Sequence, residues 1–132
     1  MTDAWRRALV RRDADPDGAI TAARSMLESV LKTVLDDRNQ PYDEGTDLPK
    51  LFKLVQKELD LAPASQTEDQ FRAILGACST VVQGLGSSRN KVGDAHGQGR
   101  SGYRAAPRHA ALAVNLAGAM AMFLVKTAEA RA

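Results

Sequence analysis

The sequence predicts an all-α domain, a bundle of four or five helices. Three observations carry that expectation. Apolar residues recur at three- and four-residue spacing along most of the chain, and no segment alternates in the manner of a strand. The apolar set is dominated by Ala, Leu and Val, with only 5% aromatic residues, a composition that suits closely approaching helices better than a sheet. With 132 residues the chain is one domain by length and long enough to bury a core. Residues 1–16 read as an N-terminal arm or short helix and 17–130 as the bundle.

The first element is a short helix from Thr2 to Arg12, begun by Thr2 or Asp3, with Trp5 and Leu9 on one side. Asp13 to Gly18 reads as a break. Asp15 or Asp17 then caps a long helix to about Arg38, Pro16 being tolerated in its first turn. Its stripe is Ile20, Ala23, Leu27, Val30, Leu31, Val34 and Leu35. Asn39 to Thr46, with Pro41 and Gly45, is a loop. Asp47 opens the next helix, with Pro49 just inside and Leu48, Leu51, Phe52, Val55 and Leu59 as its stripe, ending before Pro63. Thr67 and Gln70 resemble a capping box at the start of another helix, whose inward face is Phe71, Ile74, Leu75, Cys78, Val82 and Leu85. A glycine-rich break is expected from Gly84 to Gly102. Pro107 opens the last helix, to about Ala130. It is apolar nearly all round and so marks either a central helix or a subunit interface.

Charge and cysteine content exclude several classes. A formal net charge of +2 gives a weak overall field, but Arg89, Lys91, Arg100, Arg104 and Arg108 cluster with Asp94 as their single carboxylate. Such local positive charge attracts phosphates; as a bare charge run it also reads as a solvated loop. One cysteine, Cys78, forms no internal disulfide and excludes a cysteine-based zinc framework; it reads as a buried, inert thiol. The first residues lack the apolar run of a signal peptide. The stretch Ala110 to Val125, interrupted by Asn115, is shorter than the roughly 20 residues that cross a bilayer. The expectation is a cytoplasmic protein without membrane contact.

The concentrated chemistry is Arg89-Asn90-Lys91-Val92-Gly93-Asp94-Ala95-His96-Gly97. A guanidinium clamps phosphate oxygens, and an imidazole titrating near neutrality exchanges a proton with a ribose 2′-hydroxyl or a leaving oxygen. Those are the parts for cleaving a phosphodiester without metal or cofactor. Asn90 is placed to hold a phosphate oxygen or orient the hydroxyl, and Gly93 and Gly97 to bend the backbone so that His96 faces Arg89. The spacing alone is unspecific: Arg104 and His109 are similarly placed. That second pair straddles Pro107, and His109 reads as a packed or capping histidine in a first helical turn. For His96 the plain structural alternative is a loop histidine that orders a glycine-rich turn.

The Arg89–Gly97 run resembles the signature of the HEPN superfamily, an arginine followed by a histidine, commonly with a polar residue after the arginine. More narrowly, the chain resembles the C-terminal domain of abortive-infection (Abi-like) proteins. Further shared pieces are the helix from Ala22 to Lys32, the start Asp47-Leu48-Pro49-Lys50-Leu51, and Arg108-His109-Ala110 opening the last helix; together they cover most of residues 17 to 125. The resemblance implies a HEPN-type bundle, often a homodimer. In active members two protomers bring Arg and His into one cleft and act as a metal-independent endoribonuclease of phage defence or toxin–antitoxin systems. Carried over, Arg89 binds the phosphate, His96 is the general acid/base and Asn90 assists. Lys91, Arg100, Arg104 and Arg108 would contact RNA, with Asp94, Gly97 and His109 in support. A cognate antitoxin or an N-terminal partner domain is among the partners such proteins have. Many HEPN domains are non-catalytic, so an RNA- or nucleotide-binding module and a purely structural dimerisation domain stand beside the ribonuclease.

Overall fold

A computed structural model describes residues 2–62, 66–98 and 105–131; for residues 2, 8, 11–13 and 87–98 it describes the helical backbone alone. The described residues form five helices and no strand: α1 (Thr2–Ala14), α2 (Pro16–Asp37), α3 (Leu48–Glu58), α4 (Asp69–Gln98) and α5 (Pro107–Ala130).

The expected break between α1 and α2 shrinks to one residue. Asp15 caps α2, its carboxylate accepting from the Gly18 N–H at 3.1 Å, with Pro16 at the first helical position. Asp17, the other candidate cap, is inside the helix. α2 buries the predicted stripe and, within it, Arg24. It ends in a Schellman motif: Gln40 N–H donates to Leu35 O at 2.9 Å, and Asn39 takes the left-handed conformation (φ 57°). α3 ends in the same way, with Leu61 N–H on Gln56 O and Asp60 at φ 57°. Its start is the expected one, the Asp47 carboxylate accepting from Lys50 N–H at 3.0 Å.

α4 departs from expectation at both ends. Arg72 N–H donates to Glu68 O, which makes Glu68 the capping position and leaves Thr67 outside the helix, so Thr67 and Gln70 are not a capping box. At the other end the helix runs through Gly84, Gly86, Gly93 and Gly97 to Gln98. Glycine costs a helix only about 1 kcal/mol relative to alanine, so glycines within a long helix do not end it.

Tie points fix the helix directions. Lys32 Nζ lies 3.7 Å from Glu44 Oε2, so the α2–α3 loop doubles back along α2. Leu59 O then accepts from Arg131, near the α2 C-terminus, so α3 runs the same way as α2. Gln56 Nε2 donates to Ser79 Oγ at 3.3 Å, and Gly86 faces Pro49, so α4 runs opposite to α3. α5 follows α2: Ala105 N–H donates to Asp17 Oδ1 at 3.0 Å, and Arg38 Nη2 donates to Ala128 O and Arg131 O at the far end. α1 lies antiparallel to α2 across the α2–α5 seam, where the Trp5 ring covers Gly118 so closely that a Cβ there would overlap the indole.

The core is one cluster centred on α2, built with α3, part of α4 and the inward face of α5. α5 buries Ala110, Val114, Ala117, Met120, Ala121 and Leu124. Among the described residues it is the helix long and apolar enough to cross a bilayer, beyond the stretch read from sequence, although a core helix meets the same test. Its outer side leaves Leu112 62% and Met122 46% exposed.

Candidate functional site

Arg89, Asn90, Lys91, Asp94, His96 and Gly97 all lie in the last third of α4. The loop in which Gly93 and Gly97 would swing His96 towards Arg89 does not exist; both glycines are helical. The helix sets the relation of the two residues instead. Seven residues are two turns, about 10.5 Å of rise with a residual rotation of roughly 20°. Arg89, Gly93 and His96 therefore occupy positions i, i+4 and i+7 of one face, with a residue lacking a side chain between the arginine and the histidine.

That face continues the inward register of the helix. Leu75 and Val82, both buried, precede Arg89 and His96 at successive seven-residue steps. What changes along the helix is the neighbour. Pro49, at the start of α3, stands against Gly86, and α3 runs away from that point towards Ser79. The twelve residues 87–98, about 18 Å of helix, extend past the end of α3. Along this register the sequence changes from leucine and valine to arginine and histidine beyond the point where α4 meets the start of α3.

Of the other predicted residues, Arg100 and Arg104 lie outside the described residues. Arg108 is exposed in the first turn of α5. His109, also exposed, accepts the Ala106 N–H at Nδ1 over 3.2 Å. Ala106 supplies no capping oxygen of its own, so the imidazole satisfies an otherwise orphaned donor at the helix start. The capping reading of His109 holds, and the contact fixes which ring nitrogen is the acceptor.

Two residues escaped the sequence reading. Asp17 fastens the segment entering α5 to the first turn of α2 through Ala105. Arg24, seven residues further along the same α2 stripe, is only 7% exposed, its Nη2 3.7 Å from Glu28 Oε2. Glu28 in turn holds Lys32 at 3.3 Å and raises the Lys32 pKa, chiefly by hydrogen bonding. The signal for Arg24 was its position on the inward arc, four residues after Ile20 and three before Leu27, where a charge is costly unless paired.

Cys78 is half-buried rather than buried. It lines an apolar groove of about 260 Å³ between α4 and α5, with Phe71, Ile74, Leu116 and Phe123, and burial pushes its thiol pKa up. No group of His, Cys, Asp and Glu among the described residues is arranged to hold a metal ion.

A family model described as Abi_C, a HEPN-like domain, matches residues 1–128. The chain belongs to the HEPN-like Abi_C family. No curated protein and no solved structure matches it. Membership covers nearly the whole chain, α1 included, and brings it into a superfamily associated with defence and ribonuclease activity.

Proposed function

We propose that this HEPN-like domain is a metal-independent endoribonuclease acting as a homodimer in phage defence or a toxin–antitoxin pair. The observation that carries the reading is the placement of Arg89 and His96 two turns apart on one uninterrupted helix, past the end of α3. At that separation a long guanidinium and an imidazole can meet at a single phosphate, and Gly93 leaves room between them.

In the proposed chemistry, one His96 imidazole takes the proton from the ribose 2′-hydroxyl as its oxygen attacks phosphorus. Arg89 neutralises the charge gathering on the phosphoryl oxygens. The 5′-oxygen leaves with a proton from an imidazolium, which the second copy's His96 would supply in a symmetric site. The products are a 2′,3′-cyclic phosphate and a 5′-hydroxyl. The apolar outer side of α5 and the adjoining groove on α4 support the dimer, since Ile74, 50% exposed, lines that groove with Leu116, and Leu112 and Met122 are exposed elsewhere on α5.

Purified chain is expected to cut single-stranded RNA in the presence of EDTA and to spare a substrate with a 2′-deoxy residue at the scissile position. His96→Ala and Arg89→Ala should each lower the rate by about 10²–10⁴-fold. Intact RNA after incubation with the dimer, or cutting that survives His96→Ala, sinks the nuclease. The basic cluster from Arg89 to Arg108 favours a second reading, an RNA-binding module. It is distinguished by salt-sensitive binding that His96→Ala leaves unchanged, without cleavage.

A further inference from the structure

Two glycines and two serines fall within five consecutive residues of α4, Gly84-Leu85-Gly86-Ser87-Ser88. Glycine is the weakest helix former after proline, and serine competes for the backbone's own hydrogen bonds. Helices that bend without a proline do so chiefly at Gly and Ser pairs. Packing requires neither glycine. A Cβ at Gly84 would meet nothing within 4 Å, and one at Gly86 would touch Pro49 Cδ at 3.7 Å, an ordinary contact. Gly118 is different, since the Trp5 ring lies where its Cβ would be.

The pair also stands at a boundary in the helix. Before it α4 is fastened: Leu75 and Val82 are in the core, and Ser79 accepts a hydrogen bond from Gln56 of α3. Leu85, between the two glycines, is the last core residue of α4 among the described residues. At Gly86 the helix meets the start of α3, and beyond it come Arg89 and His96. Gly76 supplies the comparison. It too has open space for a Cβ, but it lies inside the fastened part, next to Leu75.

We propose that Gly84 and Gly86 form a hinge in α4, with Leu85 as its fixed point, about which the helix end bearing Arg89 and His96 turns when a ligand enters. The hinge is what the two positions gain by forgoing alanine, which fits at both and makes the firmer helix. That the turning end closes on an RNA phosphate rests on the functional reading above; the hinge itself does not.

Amide hydrogen exchange on the full chain reads the hinge without reference to activity. Bending at the glycines opens the backbone bonds that span them, those donated by residues 85–90. Gly84→Ala and Gly86→Ala should each slow exchange there about threefold to fivefold, and the double variant about tenfold or more. Gly76→Ala should raise the thermal midpoint as a single hinge variant does and leave those amides unchanged. Gly84→Ala, whose methyl meets nothing, carries the test should Gly86→Ala disturb Pro49. The double variant, although the more stable protein, should cut RNA at least about fivefold more slowly than wild type, and Gly76→Ala should match wild type. The proposal is overturned by exchange that the double variant leaves unchanged, by equal slowing in Gly76→Ala, or by wild-type cutting in a double variant whose exchange has slowed. A wild-type chain that leaves RNA intact while exchange follows this pattern ends the nuclease reading and upholds the hinge.

Discussion

Trp5 packs directly on Gly118, the tightest approach to any glycine among the described residues. A methyl group at residue 118 would occupy the volume of the indole, and α5 backbone supplies the surface beneath it. Gly118→Ala should therefore lower stability by about 1–3 kcal/mol, although alanine is the better helix former by about 1 kcal/mol. Trp5 is the only tryptophan, so a red shift of its emission reports the release directly; an unchanged spectrum and midpoint would refute the contact. Cys78 offers a second check at this scale. Its pKa is raised by burial, so less thiolate is present at neutral pH than for a free thiol, and alkylation should be slow near pH 7, rising only at a higher pH than cysteine in a peptide. The sequence revealed Trp5 and Gly118 only as an aromatic and a small residue; that they meet depends on how α1 folds back, which no local pattern encodes.

Among the elements, α2 and α3 were legible almost to the residue, because cap, proline and stripe agree in each. Asp47 illustrates the energetics: Asp47→Ala removes the acceptor for Lys50 N–H and should cost about 1 kcal/mol, measured by urea denaturation at constant slope. α4 was misread for an instructive reason. Gly84, Gly86, Gly93 and Gly97 suggest a break, yet each costs the helix little, and its first half is held by burial of Leu75, Val82 and Leu85. The motif residues do share one stretch of α4, while the bend expected to bring them together is not there. The expected bend is replaced by a fixed two-turn spacing. His109 was legible in part, since its place in a first turn after a proline already suggested a cap.

For the whole molecule, a bundle of four or five helices follows from apolar spacing alone, but the central place of α2 and the direction of α3 do not. A ten-residue loop permits either return, and Lys32 with Glu44 and Leu59 with Arg131 decide it. The nearly all-apolar α5 has a structural explanation on one side only. Its inward residues pack on α1 and α2, while Leu112, Leu116 and Met122 with Ile74 remain outside. If this outer face joins two copies, Leu112→Glu combined with Leu116→Glu should convert dimer to monomer in sedimentation at micromolar concentration. RNA cleavage should fall with it, and the fold should persist, because neither residue is in the core. A wild-type chain that sediments as a monomer would remove the symmetric site.

α2 grips α5 at both of its ends, through Asp17 at Ala105 and through Arg38 at Ala128 and Arg131. Two rods fastened at top and bottom cannot slide past each other by a turn, so this pair is the frame of the molecule. Among the described residues no such pair of end ties holds α1, α3 or α4 to the frame, so these three are the helices expected to shift first when the molecule is strained.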